Sequence, residues 1–304
     1  MRNRGEHPTG SDRGHPPLRR LLATGAAAAF ATSALAGAAA ADPASEDPAA
    51  GHPAAGQPAA GKPTAGAPAP QARSVGSGET SAGAAPWAVA LTDDNGNQFC
   101  GGTLVTPVKV VTAAHCTYDQ STNQPRPIES LRAVTGRADL RTTAGESHQV
   151  DRAWTDPDYQ GFTQGRDVAV LTLSDPAPER PLPVVGQGET APYTPGTRGR
   201  IYGWGRTSES APSSPVLRSV GIPVAEAPYC KHAYPEFDPR GMFCAGLPQG
   251  GKDACGGDSG GPYVVDGRLV GIVSYGTGCG RPGYPGVYTK LSAYADEVRG
   301  QLQQ

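Results

Sequence analysis

Residues 253–276 read DACGGDSGGPYVVDGRLVGIVSYG. Four glycines, Gly256, Gly257, Gly260 and Gly261, crowd around Ser259. Glycine is placed where the backbone must turn sharply or come close to something else. The segment then runs into two alternating apolar stretches joined at Asp266-Gly267, the sequence signature of a tight β-hairpin. The glycines therefore belong to an ordered loop between strands, and what approaches Ser259 so closely is a question of chemistry.

The same strand-and-turn texture extends outward from residue 74. APWAVALT, GGTLVTPVKVVTAAH, DVAVLTL, GRIYGWG, GRLVGIVSYG and GVYTKL read as strands broken by Gly, Pro, Asn and Asp. Helical spacing is clear only near the end, at Leu291, Tyr294, Val298 and Leu302, with Ser292 as the expected cap. Many strands and one C-terminal α-helix predict an all-β antiparallel sandwich or barrel assembly.

The first 73 of the 304 residues differ in kind. Arg19-Arg20 precede a weakly apolar, alanine-rich run ending in small residues before Asp42, which reads as a signal peptide over 1–41. The arginine pair also fits twin-arginine export, although the Sec route is the expected one for a protein that forms disulfides outside the cell. Residues 42–73 repeat proline every five positions, at Pro53, Pro58, Pro63 and Pro68. Such a segment builds no core and reads as a propeptide or linker. The remaining 74–304 suffice for one large β domain or two small ones.

A net charge of −2 and the lack of a basic block argue against nucleic acid as a partner. Export predicts a secreted, extracellular protein with no stable membrane association. All six cysteines lie in the globular part, none in a C-x-x-C pair. An even number in an exported chain favours disulfides, and six cysteines allow 15 pairings. The motifs suggest no metal cluster and no cofactor.

Serine acts as a nucleophile when a base takes its proton and a third group orients that base. The globular part has three histidines. His115 ends an apolar strand beside Cys116, whereas His148 and His232 have polar, loop-like surroundings. Asp167 opens the apolar strand DVAVLTL, where it reads either as a turn residue or as a partly buried partner for the imidazole. The backbone at Gly257 and Ser259 can supply N–H donors to an oxyanion.

TAAHC, DVAVL and GDSGGP, in that order, resemble the trypsin-like serine proteases of the chymotrypsin family. The resemblance covers essentially all of 74–304 and extends to PWAVAL, GWG, CKHAYPEFDPRGMFCAG, VSYG and PGVYTK. It implies two packed six-stranded antiparallel β-barrels with the site in the cleft between them. It also implies His115 as base and then acid, Asp167 as orienter, Ser259 as nucleophile, and an oxyanion hole at Gly257 and Ser259. The pairings implied are Cys100–Cys116, Cys230–Cys244 and Cys255–Cys279. Asp253 falls at the base of the pocket for the residue before the cut bond, which implies cleavage after Arg and Lys. Gly276 and Gly286 fall on its walls, and Ser274 to Gly276 along the substrate backbone. Protein and peptide substrates, proteinaceous inhibitors and a monomeric state are the family's pattern. A catalytically silent, binding-only relative would be expected to have lost a triad member, and a structural or adhesive role would not explain the triad or Asp253.

Three departures bear on function. Ala254 stands where trypsins commonly carry a hydroxyl, which predicts a stronger preference for arginine over lysine. Gly256 replaces a longer side chain at the cleft rim and predicts wider tolerance of neighbouring substrate residues. Activation in the family buries a new N-terminal ammonium against the acid before the catalytic serine, here Asp258. Counting back places that terminus at Ser74, after Arg73, with SVGSG in place of a more apolar start.

Overall fold

The computed structural model describes residues 78–304; the expected signal peptide, the proline repeat and the Arg73–Ser74 junction lie outside the described residues. The chain enters through a two-residue strand, β1 (Gly78–Glu79). The first barrel then forms from β2 (Ala88–Thr92), β3 (Gln98–Thr106) and β4 (Lys109–Thr112). After a short ribbon of β5 (Tyr118–Asp119) and β6 (Gln124–Pro125), it is completed by β7 (Arg132–Thr135), β8 (Glu146–Thr155) and β9 (Ala169–Leu173). These close in the order β2-β3-β4-β9-β8-β7, so every edge of this sheet is paired. β2 is buried along its whole length, as expected for a strand lined on both sides by protein.

The second half contains β10 (Arg198–Gly203), β11 (Arg218–Pro223), the helix α1 (Ala227–Ala233), β12 (Met242–Ala245), β13 (Pro262–Val265), β14 (Arg268–Tyr275) and β15 (Gly286–Lys290). Its sheet has seven strands rather than six, in the order β1-β11-β10-β13-β14-β15-β12. β1 pairs with the first part of β11, through Gly78–Ser219 and Glu79–Arg218. Just past the end of β11, Val224 forms a single antiparallel bridge with Ala245 of β12. Six strands thus curl round and close through one bridge, with β1 added outside. The expected pair of barrels is present, the second closed far more lightly than the first.

The hairpin read from Asp266-Gly267 is there. Both residues have positive φ (48° and 69°), and Val265 pairs with Arg268 across the turn. That is the conformation whose twist matches the flanking strands.

Helix α2 (Ala295–Leu302) ends the chain, but it begins later than its periodicity suggests. Leu291–Ala293 form a 3-10 turn, Ser292 makes no side-chain cap, and Tyr294 is the cap position. Leu291, Tyr294 and Val298 are all buried, so the spacing reported a buried stripe that spans two kinds of helix. Helix α1 has only seven residues, too few for periodicity to show. Among the described residues no helix is long and apolar enough to cross a membrane.

All six cysteines are paired, as Cys100–Cys116, Cys230–Cys244 and Cys255–Cys279, with Cα separations of 6.2, 6.0 and 5.1 Å.

Candidate active site

His115 lies in a 3-10 turn directly after β4, and Asp167 precedes β9, the strand that pairs with β4. The ladder therefore brings them together across 52 positions of sequence. Asp167 Oδ2 lies 2.8 Å from His115 Nδ1, and Asp167 Oδ1 accepts the His115 backbone N–H at 2.9 Å. The Ser274 hydroxyl donates to Oδ2 at 2.6 Å, and Thr289 donates to the Asp167 carbonyl at 2.8 Å. Asp167 is only 1% exposed. Burial works against its charge, but the imidazole and the converging donors outweigh that and hold the carboxyl below the usual carboxylate range. Burial likewise opposes the imidazolium of His115, and the charge and hydrogen bond of Asp167 outweigh it, so the imidazole pKa is raised. The Ser274 hydroxyl was not foreseen: its residue was expected only to meet substrate backbone.

Ser259 reaches the same place from the second half of the fold. The Gly101 N–H donates to the Ser259 carbonyl at 2.7 Å, and Gly260 N–H donates to Val273 at 2.8 Å. Gly260 has φ 78°, and a Cβ there would collide with the Thr112 hydroxyl and the Gly101 carbonyl. The close approach that the glycines implied is therefore, in part, that of the first barrel's own wall. Asp258 N–H donates to Cys255 at 2.9 Å and Gly261 N–H to Asp258 at 2.9 Å, so the loop is folded on itself. Neither the Gly257 nor the Ser259 N–H donates to another group among the described residues. His115 and Ser259 line one cavity of about 460 Å³. No hydrogen bond joins imidazole to hydroxyl, a contact that commonly tightens only in the substrate complex.

Asp253, Gly276 and Gly286 line that cavity as well. Asp253 is 3% exposed and accepts the backbone N–H groups of Ala254 (2.8 Å) and Gly280 (3.1 Å). Burial raises its pKa to about 7, against the lowering effect of those two donors. A Cβ at Gly286 would run into the Asp253 carboxylate. At Gly276 it would meet only ordinary contacts, so a side chain there would take cavity space rather than break packing.

Asp258 is fully buried beneath the loop. It accepts from Gly205 N–H (2.8 Å) and Cys255 N–H (2.9 Å), and burial raises its pKa to about 7. A side chain at Gly203 or Gly205 would strike this carboxylate, which gives the GWG motif its physical reason.

The other two histidines separate cleanly. His232 is exposed on the last turn of α1. His148 is not in a polar loop: it lies on β8, is 1% exposed, and contacts Asp175 through Nδ1 (2.7 Å) and Thr135 through Nε2 (3.2 Å). Its neighbours in sequence are exposed because β8 alternates, and a single inward position within polar residues hides burial. Carboxylate, imidazole and hydroxyl recur there, but Thr135 is sealed from solvent and no substrate could reach it. Phe162 is 46% exposed at the cleft, with ring contacts to His115 and Tyr275 at 5.9 and 5.8 Å; an isolated aromatic in a glycine-rich loop gave no signal in sequence.

The family model described as Trypsin matches residues 74–298. This chain belongs to the trypsin family. It is 45% identical over 217 residues to "Trypsin" of Saccharopolyspora erythraea, covering 71% of this chain and 92% of that protein. It is 37% identical to "Trypsin" of Squalus acanthias over 74% of this chain and 93% of the relative. It is 39% identical to "Kallikrein-14" of Homo sapiens over 72% and 80% respectively. The trypsin-like chain is accordingly a serine endopeptidase, and its substrates are proteins or peptides.

Proposed function

We propose that this trypsin-family chain cleaves after arginine, and less readily after lysine, through His115, Asp167 and Ser259. The observation that carries the reading is the cavity shared by His115, Ser259 and the buried Asp253. His115 takes the Ser259 proton as the oxygen attacks the substrate carbonyl. Asp167 holds the imidazole by Nδ1 and stabilises the imidazolium that forms. The carbonyl oxygen becomes an oxyanion against the Gly257 and Ser259 N–H groups. His115 then protonates the leaving amine, and water releases the acyl group by the same path in reverse.

Asp253 supplies the selectivity. A carboxyl whose pKa is raised to about 7 by burial gains most from a cation that restores its charge. A guanidinium meets it with a planar fork of donors, whereas an ammonium is a point charge that needs further acceptors. Ala254 offers none from its side chain. Ala254→Ser is expected to raise kcat/KM on lysine peptides relative to matched arginine peptides about tenfold, in keeping with a hydrogen bond to a charged group. Equal rates on arginine and lysine peptides for the unaltered enzyme would overturn the selectivity.

The same reading makes 1–41 a signal peptide and 42–73 a propeptide, gives the domain the span 74–304, and makes the enzyme extracellular. Cleavage at Arg73–Ser74 would free the ammonium of Ser74 for Asp258, whose buried carboxyl has a raised pKa. N-terminal sequencing of active material tests this, and a start elsewhere overturns it.

A further inference from the structure

Among the described residues, Gln98, the first residue of β3, is the one side chain of the first barrel that hydrogen-bonds the loop before Ser259. Its Nε2 lies 2.9 Å from the Cys100 carbonyl and 2.7 Å from the Gly257 carbonyl. An amide nitrogen carries two hydrogens, and here it faces two acceptors. The reversed amide would set an oxygen against both carbonyls, so its orientation is fixed. The other amide atom, Oε1, is buried without any partner. An unpaired buried acceptor is unfavourable, and a fold gains nothing from it alone. The NH2 group is what this position uses.

The carbonyls around the loop differ in how they are held. Gly256 O accepts from the Arg206 backbone at 2.9 Å, and Asp258 O accepts from Gly261 at 2.9 Å. Both bonds come from the backbone and survive any side-chain change. Gly257 O, the carbonyl between them, depends on Gln98. That carbonyl lies between the Gly257 and Ser259 N–H groups, so its direction sets how those two donors converge. Gly257 has φ 98°, a region that glycine leaves readily. The N–H of the same peptide, on Asp258, is tied to the Cys255 carbonyl at 2.9 Å, so Gln98 holds the carbonyl end of a peptide that the loop itself anchors only at its N–H. The Cys100 end of the clamp belongs to the disulfide with Cys116, the residue after His115.

We infer that Gln98 is a positioning residue for the oxyanion hole, fixing the Gly257 peptide relative to β3, the strand joined by the Cys100–Cys116 disulfide to the His115 turn. The inference rests on the oxyanion-hole reading proposed above. Gln98 touches no reacting atom. It acts on the transition state, where the oxyanion forms, and leaves the arginine pocket at Asp253 as it is.

Two variants test it in the active enzyme. Gln98→Met keeps the shape and removes both donors, and Gln98→Glu replaces the donor by an acceptor. Each is measured for kcat and KM on an arginine amide, for inhibition by benzamidine, and for inhibition by a peptidyl-arginine aldehyde. Benzamidine reports the Asp253 pocket alone. The aldehyde accepts the Ser259 oxygen at its carbonyl carbon; the C=O π pair becomes an oxyanion, and the serine proton passes to His115. Expected is a fall in kcat of roughly 10- to 100-fold, the scale of a small misplacement of catalytic groups. Aldehyde affinity falls in parallel and benzamidine affinity stays within about twofold. Unchanged kcat and aldehyde affinity overturn the inference. So does equal weakening of both inhibitors, which would mark a general loss of folding. Ser259→Ala, assayed beside them, separates the two levels: full turnover in that variant removes the oxyanion reading itself, whereas an inactive Ser259→Ala beside a normal Gln98→Met removes the role of Gln98 alone.

Discussion

Asp167 keeps a charge where burial alone would neutralise it, because two N–H groups of His115 and the Ser274 hydroxyl converge on its two oxygens. That charge fixes the tautomer of His115 and raises its pKa. In the proposed mechanism the base form of His115 is needed for attack, so kcat/KM should rise with pH through a raised imidazole pKa. Asp167→Asn leaves the shape but presents the wrong hydrogen-bond pattern to Nδ1; kcat should drop roughly 10⁴-fold, a figure that comes from the chymotrypsin-type triad itself. A loss below tenfold in steady-state assays would contradict the assignment. Asp253 titrates differently. Burial raises its pKa to about 7, and on the proposed specificity an amidine pairs with the ionised form, so binding expels a proton at low pH. Benzamidine affinity should therefore be constant above about pH 8 and weaken by up to roughly tenfold for each pH unit below 7. Flat affinity from pH 5 to 8 in calorimetry would refute a raised pKa at Asp253. At this scale the sequence was most legible where a residue sits in a contiguous motif, as His115, Asp167 and Ser259 do. Gln98 and the Ser274 hydroxyl were hidden because their partners lie 159 and 107 positions away.

The elements were legible where pattern is local. The Asp266-Gly267 hairpin carries its own turn chemistry, and the GDSGGP loop declares its tightness in glycines. β8 was obscured because its inward residues include a histidine, and α1 because seven residues hold barely two turns. The Cys100–Cys116 bridge shows what an element-scale constraint contributes here. It ties β3 to the His115 turn and closes a loop whose ends are 16 residues apart. Replacing both cysteines with alanine should cost about 3 kcal/mol by the chain-entropy estimate. For a domain of this size that lowers Tm by roughly 6–12 °C. A fall of under about 2 °C by calorimetry would show that the strand pairing, not the bridge, holds the turn.

Across the whole molecule, the sequence announced strands but not how their ends meet. Closure of the second barrel hangs on Val224 and Ala245, a register that no local pattern encodes. The cleft exists because β3 and β14 both contact the Ser259 loop, through Gly101 and Val273. Ser259 and His115, the proposed nucleophile and base, thus come from different halves of the fold, and Asp253 lines the same cavity. The most direct test of that convergence is covalent labelling of the active enzyme with an arginine-mimicking diphenyl phosphonate, followed by peptide mass spectrometry. The account predicts one adduct per molecule, on Ser259, formed far more slowly in His115→Ala and suppressed by benzamidine. Labelling on another residue, or undiminished labelling of Ser259 in His115→Ala, would contradict it.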